Sequence, residues 1–457
     1  MATLALSGAQ HAQLRAHLFP GDGLEAAAVL LCSRVPDSRS ICVRHVHAVP
    51  HSECTRSADR ITWPGIRLSE SVDAAEDEDL AIVLVHSHPG GQLLFSSMDD
   101  GSDRIVLGGI AAGWTGPGQP FTCSAVMTPD GLVAARSFEG AVWTAFDAVR
   151  VAGNDIRHLR TDLGDSGSVM AFGDGMREEL ARRTACIVGV SGTGSIVAEQ
   201  LVRLGIGRLI LIDFDRVEMR NLNRILNSTL EHATARLHKV AMFAEAARAI
   251  RPGLDAEPMA ETIMSRGAVL AAARSDVVFS CVDSVEGRMV VDLTCQAFCI
   301  PLIDMGVTIT TRSLPGGSRT VSDAWTRVDY VQPGGSTLLS RGVWSGKALR
   351  DEYLARVAPD VHGGEVDEGY IKGVHAEAPS VISLNMKAAS EAVLEYVARS
   401  FPFRHRPNAA FARSMVSLGK MEWETFPEDS FVCDGSAPVG VGAAAPLLGL
   451  PMLEVPC

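Results

Sequence analysis

The stretch TACIVGVSGTGSIVAEQLVRLGIGRLILIDFD, Thr184 to Asp215, constrains the fold more than any other part of this chain. An apolar run enters a glycine-rich turn, a helical pattern comes next, and a second apolar run closes on an aspartate. Strands joined through a helix in this way run parallel, because parallel neighbours need a crossover connection. A parallel sheet is buried on both faces, so an α/β architecture with helices on either side is expected. Further strands fit DVVFSCVD (Asp276 to Asp283) and IPLIDMGV (Ile300 to Val307). The apolar spacing from Ser380 to Phe401 suits a long closing helix.

The turn VGVSGTGS, with Gly189, Gly192 and Gly194, aims backbone amides and a helix N-terminus at an anion. Alone it would serve NAD, FAD or ATP. Asp213, about twenty residues past the turn, stands where a carboxylate reaches ribose hydroxyls. The polar residues beyond it do not suit hydride transfer. Asn221, Arg224 and Lys239 bring an amide and two cations, as a triphosphate requires, and Asp283 at the end of VVFSCVD suits Mg²⁺.

This order and spacing resemble the ThiF/MoeB/HesA superfamily, the adenylating fold of ubiquitin-activating enzymes, over roughly Met176 to Ser400, including PSVISLN (Pro379 to Asn385). The resemblance implies ATP and Mg²⁺ as cofactors. It puts Asp213 on the ribose, Asn221, Arg224 and Lys239 on phosphates, and Asp283 on the magnesium. It also implies an acyl-adenylate made on a protein's C-terminal carboxylate, and a homodimer. Many relatives carry two CxxC pairs and a nucleophilic cysteine, yet no cysteine lies here between Cys299 and Cys433. Ser336 and Ser340 stand where relatives often show cysteines, and a serine hydroxyl is a far poorer nucleophile near neutral pH. No thioester is expected on that loop; the acyl group would pass to a conjugating enzyme's thiol, a sulfur donor or an amine. Cys433 and Cys457 are minor alternatives. The arginine that relatives lend to a partner subunit has no counterpart around GSVMAFG (Gly167 to Gly173), with Arg157 and Arg160 merely nearby.

The first part of the chain has a different grammar. AAAVLLC (Ala26 to Cys32), AIVLVHSH (Ala81 to His88) and CSAVMT (Cys123 to Thr128) are short apolar runs broken by Gly, Pro, Asp and Ser, as in an α+β domain. On the second of these, His86 and His88 are two apart and therefore share a face at the strand's end. Paired imidazoles there suit Zn²⁺, with Asp99 as an oxygen ligand and a fourth position left open, the layout of catalytic zinc. The Ser96 hydroxyl could donate to an oxyanion beside the metal. Ser97 and Asp100 form a shifted rival pair.

His-x-His-Pro, then Ser-x-x-Asp after a fixed gap, resembles the JAMM signature of JAB/MPN metalloproteases, over roughly the first 145 residues. That resemblance implies a cytidine-deaminase-like α+β fold, hydrolysis of peptide or isopeptide bonds, and a glutamate general base. Glu25, opening EAAAVLLC, is the matching position; Glu53 and Glu70 are weaker rivals.

Four segments are therefore expected: a JAB/MPN zinc domain over 1–145, a linker over 146–175, a ThiF-type adenylation domain over 176–405, and an extension over 406–457. A net charge of −13 argues against nucleic acid as the main partner. No basic-then-apolar leader is seen, so a cytoplasmic protein is expected. Ser436 to Pro456 is apolar, but its repeated Pro and Gly favour a flexible or docking tail over a membrane span. The ten cysteines are scattered, and packing is the expected role of Cys295 and Cys299. Together the halves describe a bifunctional enzyme acting on a small ubiquitin-like protein with a C-terminal glycine, in a bacterial conjugation or sulfur-carrier pathway. The rivals are a decayed scaffold or regulatory protein, and adenylation of a small peptide in natural-product assembly.

Overall fold

The computed structural model describes residues 2–160, 164–314, 318–358, 381–433, 435 and 437–454. The first sheet contains β1 (Thr3–Ser7), β2 (Ala27–Arg34) and β3 (Ile41–Ala48). After a ribbon of β4 (Thr55–Arg56) and β5 (Ile61–Thr62), it continues with β6 (Ala81–Ser87), β7 (Thr122–Met127), β8 (Val133–Glu139) and β9 (Val142–Ala145). Three further strands join it: β10 (Ala148–Ala152), β11 (Ile156–Arg160) and β12 (Gly164–Asp165). Their order is β12-β11-β10-β1-β3-β2-β6-β7-β8-β9. β2 is apolar along its length because both its faces are covered. Ala28, Leu30 and Cys32 meet Leu14 and Leu18 of α1 (Gly8–Leu18). Val29 and Leu31 meet Ala75 of α2 (Gly65–Glu78) and Leu107 and Ile110 of α3 (Ser97–Gly113).

The segment 146–175 differs from the expected linker. β10 pairs in parallel with β1, Thr3 opposite Ala148 through Ser7 opposite Ala152. β11 folds back on β10 through the turn at Gly153–Asp155, whose polar residues read as linker in the sequence. A 3-10 turn (Ser166–Ser168) and α4 (Asp174–Leu180) lie between these strands and the second sheet.

The second sheet has the order β15-β14-β13-β16-β17-β18-β19-β20. Its parallel half is β13 (Thr184–Val188), β14 (Arg208–Ile212), β15 (Asp255–Met259), β16 (Val277–Ser280) and the start of β17 (Leu302–Ser313). β18 (Arg319–Val331), β19 (Arg413–Ser417) and β20 (Glu422–Phe426) continue it antiparallel. Ala185 and Ile187 of β13 face α5 (Gly192–Leu204), α7 (Lys239–Ile250) and α11 (Ile382–Ser400), the short α6 (Leu230–Thr234) lying between α5 and α7 in sequence. Cys186 and Val188 face α8 (Arg266–Ala272) and α9 (Val285–Ala297). α10 (Gly346–Val357) precedes α11 in the chain. Pro379 and Ser380 of the PSVISLN segment lie outside the described residues, as does Cys457.

The expected extension over 406–457 is likewise built in. β19 and β20 belong to the second sheet, and residues 437–454 run between the two domains. Gly440 and Gly442 donate to the carbonyls of Gln296 (3.1 Å) and Ala297 (2.8 Å). A Cβ on either would strike Val43 or Ser33 of the first domain, and both have positive φ, so only glycine passes there. Leu447 and Leu453 then bury themselves against α9's core. No helix among the described residues is long and apolar enough to cross a membrane.

The first domain covers the amino ends of the parallel strands. Arg150 of β10 donates to the Ser275 carbonyl (2.8 Å) and pairs with Asp276 (3.1 Å), just before β16. A cavity of about 900 Å³ beside this pair is lined by Thr184, Arg208 and Asp255 from the starts of β13, β14 and β15. The carboxyl ends of those strands lie a strand's length away, ~17 Å for five residues.

Candidate functional site

Two constellations stand apart. The first is at the carboxyl end of β6. His86 pairs with Ala27 on one side and Val126 on the other, which fixes its place on the sheet. Its Nε2 lies 3.0 Å from that of His88. Asp99 brings Oδ1 to 3.2 Å from His86 Nε2 and Oδ2 to 3.5 Å from His88 Nε2. The Gln92 carbonyl takes His88 Nδ1 at 2.7 Å, which leaves Nε2 as the nitrogen with a lone pair to offer. Two imidazole nitrogens and a carboxylate oxygen, all within 4.8 Å of one another, fit a zinc ion's donor set.

The helix cap holds the third member. Ser96 is the N-cap of α3: its Oγ accepts from the Asp99 amide (3.2 Å), while its own amide donates to Asp99 Oδ2 (2.6 Å). Burial works to raise the Asp99 pKa, but the bonds from His86, His88 and the Ser96 amide outweigh it and hold the carboxyl well below the usual range. Asp100, of the shifted pair, instead bonds Arg136.

Glu25 is buried beside this cluster, two residues before Ala27 of the Ala27–His86 pair. Its amide donates to the Ser57 carbonyl (2.8 Å) and its carbonyl accepts from Arg56 Nε (2.6 Å), so the backbone is clamped on both sides. Burial raises its pKa, and the nearby His86 and His88 work in the opposite direction. A carboxylate with raised proton affinity is suited to accept and return a proton. Glu53 and Glu70 instead share Arg67, at 2.6 and 2.9 Å, on the surface.

The second constellation surrounds the carboxyl ends of β13, β14 and β16. Gly189 has φ +88°, and a Cβ there would press on the Cys281 carbonyl. A Cβ on Gly194 would overlap the Gly189 carbonyl oxygen. Glycine is therefore demanded by packing at both positions. Asp213, nearly buried at the end of β14, reaches back to this turn: Oδ2 accepts from the Val190 amide (2.7 Å) and Oδ1 from the Asp215 amide (2.8 Å). Burial raises its pKa, with Lys239 the chief opposing charge.

Lys239 opens α7, is 4% exposed, and donates to Asp215 Oδ2 at 2.6 Å. Asn221 is buried and its Oδ1 accepts from the Glu218 amide (3.1 Å). Arg224 passes its Cδ within 3.4 Å of where a Gly192 Cβ would stand, and donates to the Arg220 carbonyl (2.9 Å). Asp283 is exposed on the loop whose Cys281 and Val282 pack on Gly189. Two residues missed in the sequence complete the cradle. Asp215 is the Lys239 partner. Asn385 of α11 places its amide so close to Gly192 that no Cβ would fit. Asn385 is far from the turn in sequence and ends the PSVISLN segment, to which the sequence alone assigns no site role; Asp215 stands two residues past Asp213, beyond the end of β14.

The serines expected in place of cysteine are structural. Ser336 is buried, donates to Glu428 Oε1 (2.8 Å) and accepts from Arg341 Nε (2.8 Å). The Ser340 hydroxyl is engaged by Thr337, accepting from its amide and donating to its carbonyl. Cys433 is exposed and donates to the Gly334 carbonyl.

Fold and sites together define an α+β domain carrying a candidate metal cluster, followed by a Rossmann-like domain with a glycine-rich turn. Prokaryotic homologs of the JAB domain match residues 8–135, and the ThiF family matches 166–333. The chain is a fusion of a JAB/MPN domain with a ThiF-type domain. It is similar to ubiquitin-like modifier-activating enzyme 5 of Drosophila pseudoobscura pseudoobscura, 32% identical over 35% of this chain and 44% of that protein. It is also 36% identical to the Bombyx mori protein of the same name, over 28% of this chain and 35% of that one. The matched part thus spans less than half of either relative. Among solved structures, Escherichia coli MccB aligns at TM-score 0.44, 14% identical over 58% of this chain and 67% of MccB.

Proposed function

We propose that this chain is a bifunctional enzyme acting on a small ubiquitin-like protein that ends in glycine. The first domain hydrolyses the peptide or isopeptide bond after that glycine, and the second adenylates the freed carboxylate with ATP and Mg²⁺. The observation that carries this reading is the presence of both side-chain sets in one chain: His86, His88, Asp99 and Glu25 at one strand end, and a glycine-demanding turn with Asp213, Arg224 and Lys239 at the other sheet.

In the first site, His86, His88 and Asp99 would hold zinc, which supplies a Lewis acid next to the scissile carbonyl. Glu25 takes a proton from the attacking water and returns it to the leaving amine. The Ser96 hydroxyl, whose oxygen already accepts from Asp99, has its hydrogen to give to the developing oxyanion. In the second site, the amides of the Gly189–Gly194 turn and the Lys239 and Arg224 cations balance charge on the phosphates. Asp213 addresses the ribose, and Asp283 would hold the magnesium. The carboxylate attacks the α-phosphorus and pyrophosphate leaves. That step needs positioning and charge balance, with no protein nucleophile.

Because Ser336 and Ser340 are bound into their loop, the acyl-adenylate goes directly to an outside thiol, sulfur donor or amine. The relatives' name, a ubiquitin-like modifier-activating enzyme, agrees with a protein substrate. The test is ATP–pyrophosphate exchange in the presence of glycine-ended ubiquitin-like proteins, alongside cleavage of the same proteins extended past the glycine. Exchange and cleavage with one partner support the reading; absence of both across such partners overturns it.

A further inference from the structure

A helix entry is commonly fixed by an apolar contact between the residue before the N-cap and the fourth residue of the helix. At α3 these are Phe95 and Asp100, and a carboxylate cannot pack on a ring in that way. Arg136 of β8 joins them instead. Its guanidinium carbon lies 3.7 Å from the centroid of the Phe95 ring and 3.7 Å from that of Trp143, so the planar group is held between two aromatic faces. Its edges are fully directed. Nη1 bonds Asp100, Nη2 donates to Asp103 (2.9 Å), and Nε donates to Ser124 Oγ (3.0 Å). The side chain is nearly buried, as is that of Asp103, so the bond between them is little screened, while Asp100 is the more exposed partner.

We propose that Arg136 is the positioning residue of the metal site: by tying Phe95 to the first two turns of α3, it sets where Ser96 and Asp99 stand against His86 and His88. This rests on the zinc reading of that cluster. The lever is short. Phe95 and Asp100 bracket the capping box, and that box is what presents Asp99 to the two imidazoles. His86 and His88 are pinned independently by strand pairing and the Gln92 carbonyl. Loss of the staple therefore releases one ligand of three and leaves the other two in place. A lysine at this position keeps the charge but has neither the plane to stack nor the fork to bond three partners.

The test uses the full chain, stripped of metal, with zinc affinity read by competition against a chromophoric chelator and site geometry read from the visible spectrum with Co²⁺. Arg136→Lys should fold, by circular dichroism, and bind zinc about 10- to 100-fold more weakly, as loss of outer partners of metal ligands does. Its Co²⁺ spectrum should change in intensity and band position. ATP binding should stay unchanged. Wild-type zinc affinity and an unchanged Co²⁺ spectrum in folded Arg136→Lys would overturn the proposal. Should that variant fail to fold, Phe95→Ala decides, since Phe95 is only half-buried: several-fold weaker zinc binding supports the staple, and wild-type binding overturns it. Absence of zinc binding by the unmutated chain is a different outcome, which removes the zinc reading itself.

Discussion

The two sites are assembled in opposite ways. All three side chains of the candidate metal site lie in one short stretch, His86 to Asp99, and a single helix cap places the third beside the other two. The candidate nucleotide cradle draws on Gly189, Asp213, Lys239, Asp283 and Asn385, each carried by a different part of the parallel sheet and its crossovers. A local site can be made or lost by one turn of chain. A distributed one is tied into the domain's core, so its backbone is hard to perturb, and loss of one side chain weakens it without dismantling it. The covered amino ends of the second sheet add a further contrast. The first domain packs on the end of the parallel strands away from the glycine turn, which predicts that each site can be disabled without the other.

The largest effect expected is at Glu25. Glu25→Gln should lower hydrolysis of an extended ubiquitin-like protein by about 10²- to 10⁴-fold, the range for losing a general base. Zinc content by metal analysis and pyrophosphate exchange should not change. A fall in exchange would break the separation of the sites.

Lys239→Met should come next. Losing a charge-assisted hydrogen bond to a phosphate costs about 2 kcal/mol, some 30-fold in affinity. Titration calorimetry with ATP and Mg²⁺ should show that loss, while zinc affinity stays as in the unmutated chain. Retained ATP affinity would remove Lys239 from the cradle.

Ser336→Ala tests the loop that replaces the cysteine-bearing segment of relatives. It should cost about 2 kcal/mol of stability, for two hydrogen bonds at about 1 kcal/mol each, seen as a drop in Tm. Adenylation and transfer should be unaffected. A transfer defect without an adenylation defect would reinstate Ser336 as an acceptor.

A separate effect, on stability against pH, concerns Asp292 of α9, whose Oδ2 accepts from the Leu338 amide (2.9 Å) and Trp344 Nε1 (3.2 Å) and so ties down the same loop. Burial pushes its pKa up to about 7, against the pull of the Trp344, Leu339 and Leu338 donors. The folded chain thus keeps a proton that the unfolded chain releases near pH ~4. Stability from this group is complete below about pH 4 and is lost as pH rises to about 7. Melting curves at pH 5, 6, 7 and 8 should show the unmutated chain losing more Tm across that range than Asp292→Asn. Equal slopes would contradict the shift.

How much of this could be read in the sequence follows the same division. His86 and His88 are legible because two-residue spacing on a strand places them together, and Ser96 with Asp99 because a capping box has fixed spacing. The glycine turn is legible because strand, turn and helix are consecutive. β10 is not, because its partner β1 lies at the other end of the domain and the Gly153–Asp155 turn looks like a linker. Residues 437–454 read as a flexible or docking tail; the structure has them docked, with Gly440 and Gly442 squeezed between two packed domains. Arg136 and Asn385 act across elements; nothing adjacent to Arg136 marks it, and PSVISLN marks a segment without saying that Asn385 packs on Gly192.

Zinc and ATP binding measured on one preparation, before and after treatment with a chelator, tests the pairing of two self-sufficient sites most directly. One zinc per chain should be present and then removed, with the dissociation constant for ATP–Mg²⁺ changing by less than about twofold, within the scatter expected of uncoupled sites. Loss of nucleotide binding along with the metal, or a native chain with no zinc to remove, would contradict it.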